Sequence, residues 1–155
     1  MSRRLLTTST RVDAPIDEVF RFFSDPSNLA TLTPPWLRFR VRTDEPVEMG
    51  AGTRIRYRLR VRGVPMGWTA GITAWDPPRR FVDEQVRGPF RLWIHEHDFV
   101  DLDGRTECRD RLSFQAPGGA WLSGKLVEPD LKRIFDLGSA RSPSRPDRRP
   151  RHRSD

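Results

Sequence analysis

The sequence predicts an α+β domain in which a curved antiparallel sheet wraps around a C-terminal helix, with a helical insert after the first strand. Apolar and polar residues alternate in several short stretches separated by Gly, Pro and Asp turn signals, whereas helical spacing occurs only near the two ends of the chain. The 155 residues suit one domain, and nine Phe and five Trp supply its core despite 32% charged residues.

The first elements are a strand and two helices. Aliphatic or threonine side chains occupy every second position from residue 6 to residue 12, namely Leu6, Thr8, Thr10 and Val12. This spacing predicts a strand. Asp13 is the expected N-cap of a helix whose apolar positions run from Ile16 to Phe23. Asp25-Pro26 ends that helix, and a second, short helix is predicted over Ser27–Leu32.

Two stretches, 37–42 and 54–62, alternate an apolar residue with an arginine, a pattern typical of half-buried antiparallel strands. If these strands are neighbours, eight arginines share the outer face. Such a face is usually only solvated, and the alternative is a docking surface for an acidic partner or an anionic lipid. We therefore expect at most a weak contact with an acidic partner or an anionic membrane through the arginines of residues 38–62.

The opposite face of the sheet is expected to be apolar. A turn at Arg62-Gly63 would place Tyr57 opposite Trp68 and continue that face across two strands. A curved sheet around one long helix leaves a cavity suited to a small apolar ligand. The expected apolar lining comprises Tyr57, Trp68, Trp93, Phe99, Leu112 and Phe114.

Polar side chains interrupt this apolar face on two later strands. His95 and His97 alternate with outward residues, and Asp110 lies on the following strand. A two-residue turn at Asp103-Gly104 would pair His97 with Asp110, whereas a four-residue loop would pair His95 with it. Such a pair could orient a ligand carbonyl or hydroxyl, or act as a general acid and base. It could equally be a satisfied polar cluster of the sheet.

Two further polar residues, Asp83 and Gln85, are candidate helpers on the preceding strand. They join the same face only if the turn at Gly88-Pro89 has a three-residue loop. A two-residue turn would place them on the other face.

The same region could ligate zinc through His95-x-His97 with Asp110 or Cys108, but the third ligand is ambiguous, so we expect no metal. We also expect no cofactor, since the chain has no Gly-rich phosphate loop, no Gly-x-Ser-x-Gly and no His-Glu-x-x-His. Cys108 should be a small buried side chain and not a nucleophile.

The end of the chain differs in composition from the rest. A last helix is predicted from near Gly119, interrupted by Pro129 and capped by Gly138. Residues 139–155 then carry six arginines and two aspartates, a net +4 of the total +7. We expect a domain at 1–138 and a disordered tail at 139–155. The tail has no interleaved aromatic residues, so specific nucleic-acid binding is not expected.

Location is predicted from what the sequence lacks. No run of 18 apolar residues occurs, so no transmembrane segment is expected, and the N-terminus does not have the pattern of a signal peptide. The single cysteine excludes an internal disulfide framework. A cytoplasmic location is the expectation.

Several motifs in this order resemble the SRPBCC (START-like, helix-grip) superfamily, and within it the bacterial ligand-binding proteins of polyketide cyclase/dehydrase type. The similarity covers residues 5 to 137. Its motifs are Ala14-Pro-x-x-x-Val19-Phe20-x-Phe22-Phe23, Leu32-Thr-Pro-Pro-Trp36, Trp75-Asp-Pro-Pro78, Phe81-x-Asp83-x-Gln85, Gly88-Pro89, Trp93-x-His95-x-His97-x-Phe99 and Asp130-Leu-x-x-Ile134-Phe135-Asp136.

The resemblance implies a deep hydrophobic cavity that binds lipids, polyketides or other apolar metabolites, without implying one reaction. Binding of a small hydrophobic ligand is therefore the expected function. The alternatives are a cyclase- or dehydrase-type enzyme that uses the His/Asp pair, and an interaction protein that uses the arginine face. The chain departs from the family pattern after Leu137-Gly138, where the Arg/Pro/Ser tail replaces a longer helix.

Overall fold

The computed structural model describes residues 3–44, 47–61 and 63–117. Within them, seven strands form one antiparallel sheet in the order β1-β7-β6-β5-β4-β3-β2. The strands are β1 (Arg4–Val12), β2 (Arg40–Val41), β3 (Arg54–Val61), β4 (Val64–Asp76), β5 (Arg80–Arg87), β6 (Leu92–Asp101) and β7 (Thr106–Gln115). The predicted final helix and the tail lie outside the described residues.

The helical insert after β1 consists of α1 (Ile16–Phe23), a 3-10 turn (Pro26–Asn28) and α2 (Leu29–Leu32). The predicted helix over 27–32 is thus divided, and only Leu29–Leu32 is α-helical. Asp13 is not the N-cap of α1. Pro15 holds that position in an extended conformation, and Asp13 instead lies 3.5 Å from the guanidinium of Arg105.

The strand predicted over 37–42 is wrong for most of its length. Pro35–Leu37 forms a 3-10 turn, Arg38 follows with a left-handed φ of 44°, and pairing with β3 is confined to Arg40–Val41. Proline fixes its own φ near the value that a helical turn needs, so Pro35 favours the turn over an extended strand. The apolar side chain of Leu37 is buried, but Leu37 belongs to this turn and not to a strand.

The β3–β4 hairpin has the expected register, and the β6–β7 hairpin takes one of the two registers that the sequence left open. Tyr57 lies opposite Trp68 in the β3–β4 hairpin. In the β6–β7 hairpin, Asp103 and Gly104 form a two-residue turn with φ values of 62° and 92°, so His97 lies opposite Asp110. Positive φ at both central positions matches the right-handed twist of the flanking strands, which is why Asp-Gly is favoured there.

Among the described residues, two apolar core clusters lie on the inner face of the sheet, defined here as the face that α1 covers. The α1 cluster surrounds Phe20, whose ring contacts Trp75, Phe81 and Phe99 at centroid distances of 5.2, 5.7 and 5.3 Å. The second cluster lies toward the other end of the strands. It contains Leu6, Leu112 and Phe114, with Phe90 and Trp93 packed against them.

The antiparallel sheet and short helices place the molecule in the α+β class, as predicted. None of the helices within the described ranges is both long and apolar enough to cross a membrane.

Candidate functional site

The candidate site is a polar cluster on the inner face, between the two apolar clusters. It consists of Asp83 on β5, His95 and His97 on β6, and Asp110 on β7. Residues two apart on a strand share a face, and residues opposite each other on paired strands share it too. His97 is opposite Asp110, and Asp83 is opposite His95, so strand pairing alone brings all four together.

Gln85 shapes the loop that determines the position of Asp83. Its amide NH2 donates to the carbonyl of Phe90 at 2.7 Å, and its amide oxygen accepts from the Phe90 N–H at 3.0 Å. A side chain at Gly88 would overlap the Gln85 amide, so this close approach requires glycine there. Both ends of the amide are therefore engaged with the backbone of the loop.

Every side chain of the cluster is in contact with another. His97 Nε2 lies 2.7 Å from Asp83 Oδ2, and His97 Nδ1 lies 2.9 Å from Asp110 Oδ1. His95 Nε2 lies 3.1 Å from the same Asp110 oxygen, and His95 Nδ1 lies 4.0 Å from Asp83 Oδ2. The hydroxyl of Thr8 donates to the second oxygen of Asp110 at 3.4 Å. The four cluster side chains retain between 12% and 27% of their exposure, so the cluster is mostly buried but not sealed from solvent.

Opposing effects set the ionisation of this cluster. Burial would lower the pKa of His97, but hydrogen bonds to Asp110 and Asp83 outweigh it and raise that pKa to about 9. Burial would likewise raise the pKa of Asp110, yet the hydrogen bonds from His95 and His97 hold it well below its ordinary value. The pKa of Asp83 is lowered in the same way, by the hydrogen bond from His97. A protonated His97 therefore bridges two ionised carboxylates.

Aromatic rings hold the two imidazoles in place. The ring of Phe81 stacks on His97 at 4.2 Å, and the His95 and His97 rings lie 3.8 Å apart. On the other side, Trp93 meets His95 edge-on at 6.4 Å. This packing fixes the rotamers of both histidines, which a functional pair requires.

Beyond Trp93 the inner face continues as an aromatic group formed by Trp68, Phe90 and Trp93. Their ring centroids lie 4.9 to 5.6 Å apart. Phe90 was not predicted from the sequence, because it follows the Gly88-Pro89 turn signal and belongs to no alternating pattern. The Gln85 hydrogen bonds to its backbone position it.

The other residues predicted to line a cavity divide between two places. Leu112 and Phe114 are fully buried beneath the aromatic group, in the second core cluster. Phe99 instead belongs to the α1 cluster, 6.1 Å from Phe23 between ring centroids. Cys108 lies in the same cluster, and burial raises the pKa of its thiol to about 12, in keeping with the predicted unreactive side chain.

Tyr57 packs on the inner face against Phe39 at 4.8 Å and beside Trp68. Burial and the charge of Asp83 raise the pKa of its phenol well above the ordinary value of 10.

Because Tyr57 is the chain's single tyrosine, its titration can be followed without interference. We expect no tyrosinate absorbance in the native protein as the pH is raised past 10, with the band appearing only when the protein unfolds. An ultraviolet titration checked by circular dichroism measures both. A normal titration curve near pH 10 in folded protein would show that Tyr57 is accessible to water.

A pocket of about 330 Å³ lies apart from the cluster, beyond the end of α1. Its lining residues are Arg21, Ser24, Asp25, Pro26, Ser27, Val47, Met49 and Trp75. The cavity predicted between the sheet and the C-terminal helix involves residues outside those described.

Residues 12–140 match the sequence profile of the family described as "Polyketide cyclase / dehydrase and lipid transport". The chain belongs to this family. The match includes all four residues of the polar cluster and all of the predicted apolar lining. No curated protein matches the chain.

Solved structures with the same fold include an aromatase/cyclase and two proteins from other groups. The Zhui aromatase/cyclase from Streptomyces sp. R1128 is 22% identical, with a TM-score of 0.68 over 91% of this chain and 94% of that one. A START superfamily protein from Mycobacterium smegmatis is 14% identical, with a TM-score of 0.66 over 89% and 96%. Ginseng major latex-like protein 151 from Panax ginseng is 14% identical, with a TM-score of 0.65 over 90% and 94%.

These similarities confirm the predicted superfamily and the α+β helix-grip fold. At such identities the structures establish the fold alone. Membership in the polyketide cyclase/dehydrase family supports, in general terms, a protein of hydrophobic-ligand-binding or polyketide-cyclase type.

Proposed function

We propose that the protein binds a small hydrophobic ligand, a lipid, polyketide or similar apolar metabolite, with the ligand's polar end at the Asp83/His95/His97/Asp110 cluster. The observation that carries this proposal is the position of that cluster. It is a partly exposed polar patch on an otherwise apolar inner face, bounded by Phe81 on one side and the Trp93 aromatic group on the other. Binding sites for apolar ligands combine such walls with a few convergent polar groups.

The proposed roles follow from the contacts. Trp68, Phe90 and Trp93 would contact the apolar body of the ligand, with Tyr57 beside them. The carboxylate oxygens of Asp83 and Asp110 offer acceptors to a ligand hydroxyl. A ligand carbonyl would accept from an imidazole N–H only by displacing one of the carboxylate contacts. Gln85 would act indirectly, through the Phe90 loop.

A matched pair of probes tests the proposal. Naphthol and naphthalene differ by one hydroxyl, so their affinities separate the polar contact from the apolar one. By titration calorimetry we expect wild-type protein to bind naphthol on the order of tenfold more tightly, the value of one hydrogen bond to a charged group. His95→Gln and Asp83→Asn should remove that preference, whereas Trp93→Ala should weaken both probes.

Asp98→Asn is the matched control, since Asp98 lies on the same strand as His97 but contacts Arg80 on the other face. It should leave both affinities unchanged. Equal affinities of wild-type protein for the two probes would refute the polar-anchor role, and no binding of either probe would refute the proposed pocket.

A second candidate function is proton transfer in a cyclase- or dehydrase-type reaction. The observation that favours it is a His97 whose pKa is raised to about 9 by two carboxylates, because a protonated imidazole at neutral pH can serve as a general acid. Both nitrogens of His97 already contact carboxylates, so a substrate would have to displace one of those contacts. For this reason we place binding before catalysis.

The arginine face is a further candidate for a contact. Arg40 lies opposite Arg58, and the backbone N–H of Arg42 donates to the backbone carbonyl of Arg56. The side chains of these four arginines therefore project from the same face of the sheet. All four residues are exposed, and no described carboxylate lies within ion-pair distance of them. We propose a weak, salt-sensitive contact with an anionic lipid surface.

Replacing two of these arginines should show this contact. We expect Arg56→Gln with Arg58→Gln to reduce binding to phosphatidylserine-containing vesicles on the order of tenfold at low salt. Arg109→Gln with Arg111→Gln is the control, since those arginines lie beside Glu107 and Glu96. Vesicle co-sedimentation at two salt concentrations measures the effect. Equal losses in both double variants would mean that only net charge matters.

The domain boundary at residue 138, the disordered tail and a cytoplasmic location remain predictions from the sequence.

A further inference from the structure

The two imidazoles of the polar cluster are oriented by the same oxygen. Asp110 Oδ1 lies 3.1 Å from His95 Nε2 and 2.9 Å from His97 Nδ1. The remaining nitrogens, His95 Nδ1 and His97 Nε2, lie 4.0 and 2.7 Å from one oxygen of Asp83. The Asp110 carboxylate thus contacts one nitrogen of each ring, and the Asp83 carboxylate lies near the other nitrogen of each ring.

We propose that Asp83, His95 and His97 bind a divalent transition-metal ion of the zinc type, with Asp110 as the residue that orients both imidazoles. Two imidazole nitrogens and one carboxylate oxygen form a donor set that such ions prefer. In metal sites a ligating histidine usually donates its other ring N–H to a carboxylate, and Asp110 occupies that position for both histidines. This inference goes beyond the binding of an apolar ligand and does not depend on it.

The two distances between Asp83 and the histidines fit with small adjustments. The three ligand atoms all lie within 4.8 Å of one another. Zinc at about 2.1 Å from each ligand separates neighbouring ligand atoms by roughly 3.3 Å in a tetrahedral site. The contact of Asp83 with His97 would lengthen from 2.7 Å, and that with His95 would shorten from 4.0 Å. Both are changes of less than an ångström, within the reach of side-chain rotation.

The backbone supports the site as well. His95 and His97 occupy successive inner-face positions of β6, and Asp83 is directly opposite His95 on β5. Ligands on paired strands are held more firmly than ligands on loops. The sequence left the third ligand ambiguous between Asp110 and Cys108. The geometry favours Asp83 as the third ligand, with Asp110 in contact with the ring nitrogens that face away from the metal.

Charge and access favour a cation. The carboxylates of Asp83 and Asp110 together balance the charge of a divalent ion, which limits the cost of placing it among apolar rings. The cluster side chains are 12% to 27% exposed, so solvent can reach the site and fill a fourth coordination position. Three protein ligands with one open position are the arrangement of sites that exchange water for a ligand oxygen.

The test uses the full chain, stripped with EDTA and freed of it by gel filtration. Co²⁺ is added first, because its visible d–d bands report four- or five-coordinate binding, and Zn²⁺ binding is then measured by calorimetry. We expect one equivalent of each metal. Asp83→Asn and His95→Gln should lower the Zn²⁺ affinity by more than tenfold. Asp110→Asn, which retains all three ligands, should lower it about 10–100-fold.

Two matched controls separate this site from unspecific binding. Asp98→Asn removes a carboxylate from the outer face of β6, and His152→Gln removes the chain's third histidine, which lies outside the described residues. Both variants should bind Zn²⁺ as wild type does. Circular dichroism establishes that each variant is folded.

Wild-type protein without d–d bands and without saturable Zn²⁺ binding would overturn the proposal, whether or not the variants fold. Binding that is lost in His152→Gln but kept in Asp83→Asn would also overturn it. The naphthol and naphthalene titrations are independent, so failure of the metal site leaves the proposed apolar pocket tested separately.

Discussion

Replacing Phe20 with alanine is expected to lower the free energy of unfolding by about 3–5 kcal/mol, the usual cost of removing a buried aromatic ring. Phe20 is 5% exposed and holds α1 against the sheet. Its ring contacts three others, Trp75, Phe81 and Phe99, in edge-on arrangements that each add stability beyond the buried area. The cavity left by alanine would lie between the helix and the sheet, where the surrounding rings cannot easily collapse.

Phe22→Ala is the matched control, because it removes the same ring from the same helix. Phe22 is only half-buried, and its ring contact is with Phe23 at 5.6 Å. Urea unfolding of both variants, at constant slope, gives the two free energies. A loss for Phe22→Ala as large as that for Phe20→Ala would show that α1 is not anchored chiefly through Phe20.

Phe81 connects the packing around Phe20 to the polar cluster. That ring contacts Phe20 at 5.7 Å and stacks on His97 at 4.2 Å. The packing that anchors α1 therefore also fixes one wall of the polar cluster. We expect Phe20→Ala to affect the cluster only through this shared ring.

Turn chemistry limited the possible registers of two hairpins. At Asp103-Gly104 the sequence left two registers open, and the two-residue turn that forms there places His97 opposite Asp110. The pairing of Tyr57 with Trp68 followed from Gly63 by the same reasoning. Local sequence determines these registers because a slip of one residue would turn every side chain to the other face.

The place of Asp83 could not be decided in this way. The hairpin that carries it closes through a longer segment around Gly88-Pro89, whose shape depends on the Gln85 amide bonding to the backbone of Phe90. Such a side-chain contact has no periodic signature. The third member of the cluster was therefore a conditional expectation until the strand pairing with β6 was known.

The errors near the helical insert have a related cause. The alternation over 37–42 satisfies a strand pattern, yet Pro35 begins a turn and Arg38 takes a left-handed φ. Asp is a residue type favoured at the N-cap, but Pro15, in an extended conformation, occupies the N-cap position of α1 instead of Asp13. In both places the fixed φ of a proline outweighed a pattern of side chains.

The stability of the protein should depend on pH through His97. Its pKa is about 9 in the folded protein, against an ordinary value of 6.5, because hydrogen bonds to Asp110 and Asp83 outweigh its burial. A difference of this size corresponds to roughly 3 kcal/mol of stability. Because the folded state binds this proton more tightly, the contribution is complete below pH 6.5. It declines as the pH rises from 6.5 and is lost above about 9.

Urea unfolding from pH 6 to 9.5 in the presence of EDTA measures this contribution, since no cation then competes with the proton. We expect wild-type protein to lose most of this contribution, roughly 3 kcal/mol, across this pH range. His97→Gln should be less stable than wild type at pH 6, because the carboxylates of Asp83 and Asp110 then face each other without the proton between them. Its free energy of unfolding should change little between pH 7 and 9, because the titrating imidazole is gone. His152→Gln, the control, should keep the wild-type slope. Parallel pH curves for wild-type and His97→Gln protein would mean that His97 is neutral in the folded state and that another group holds the two carboxylates together.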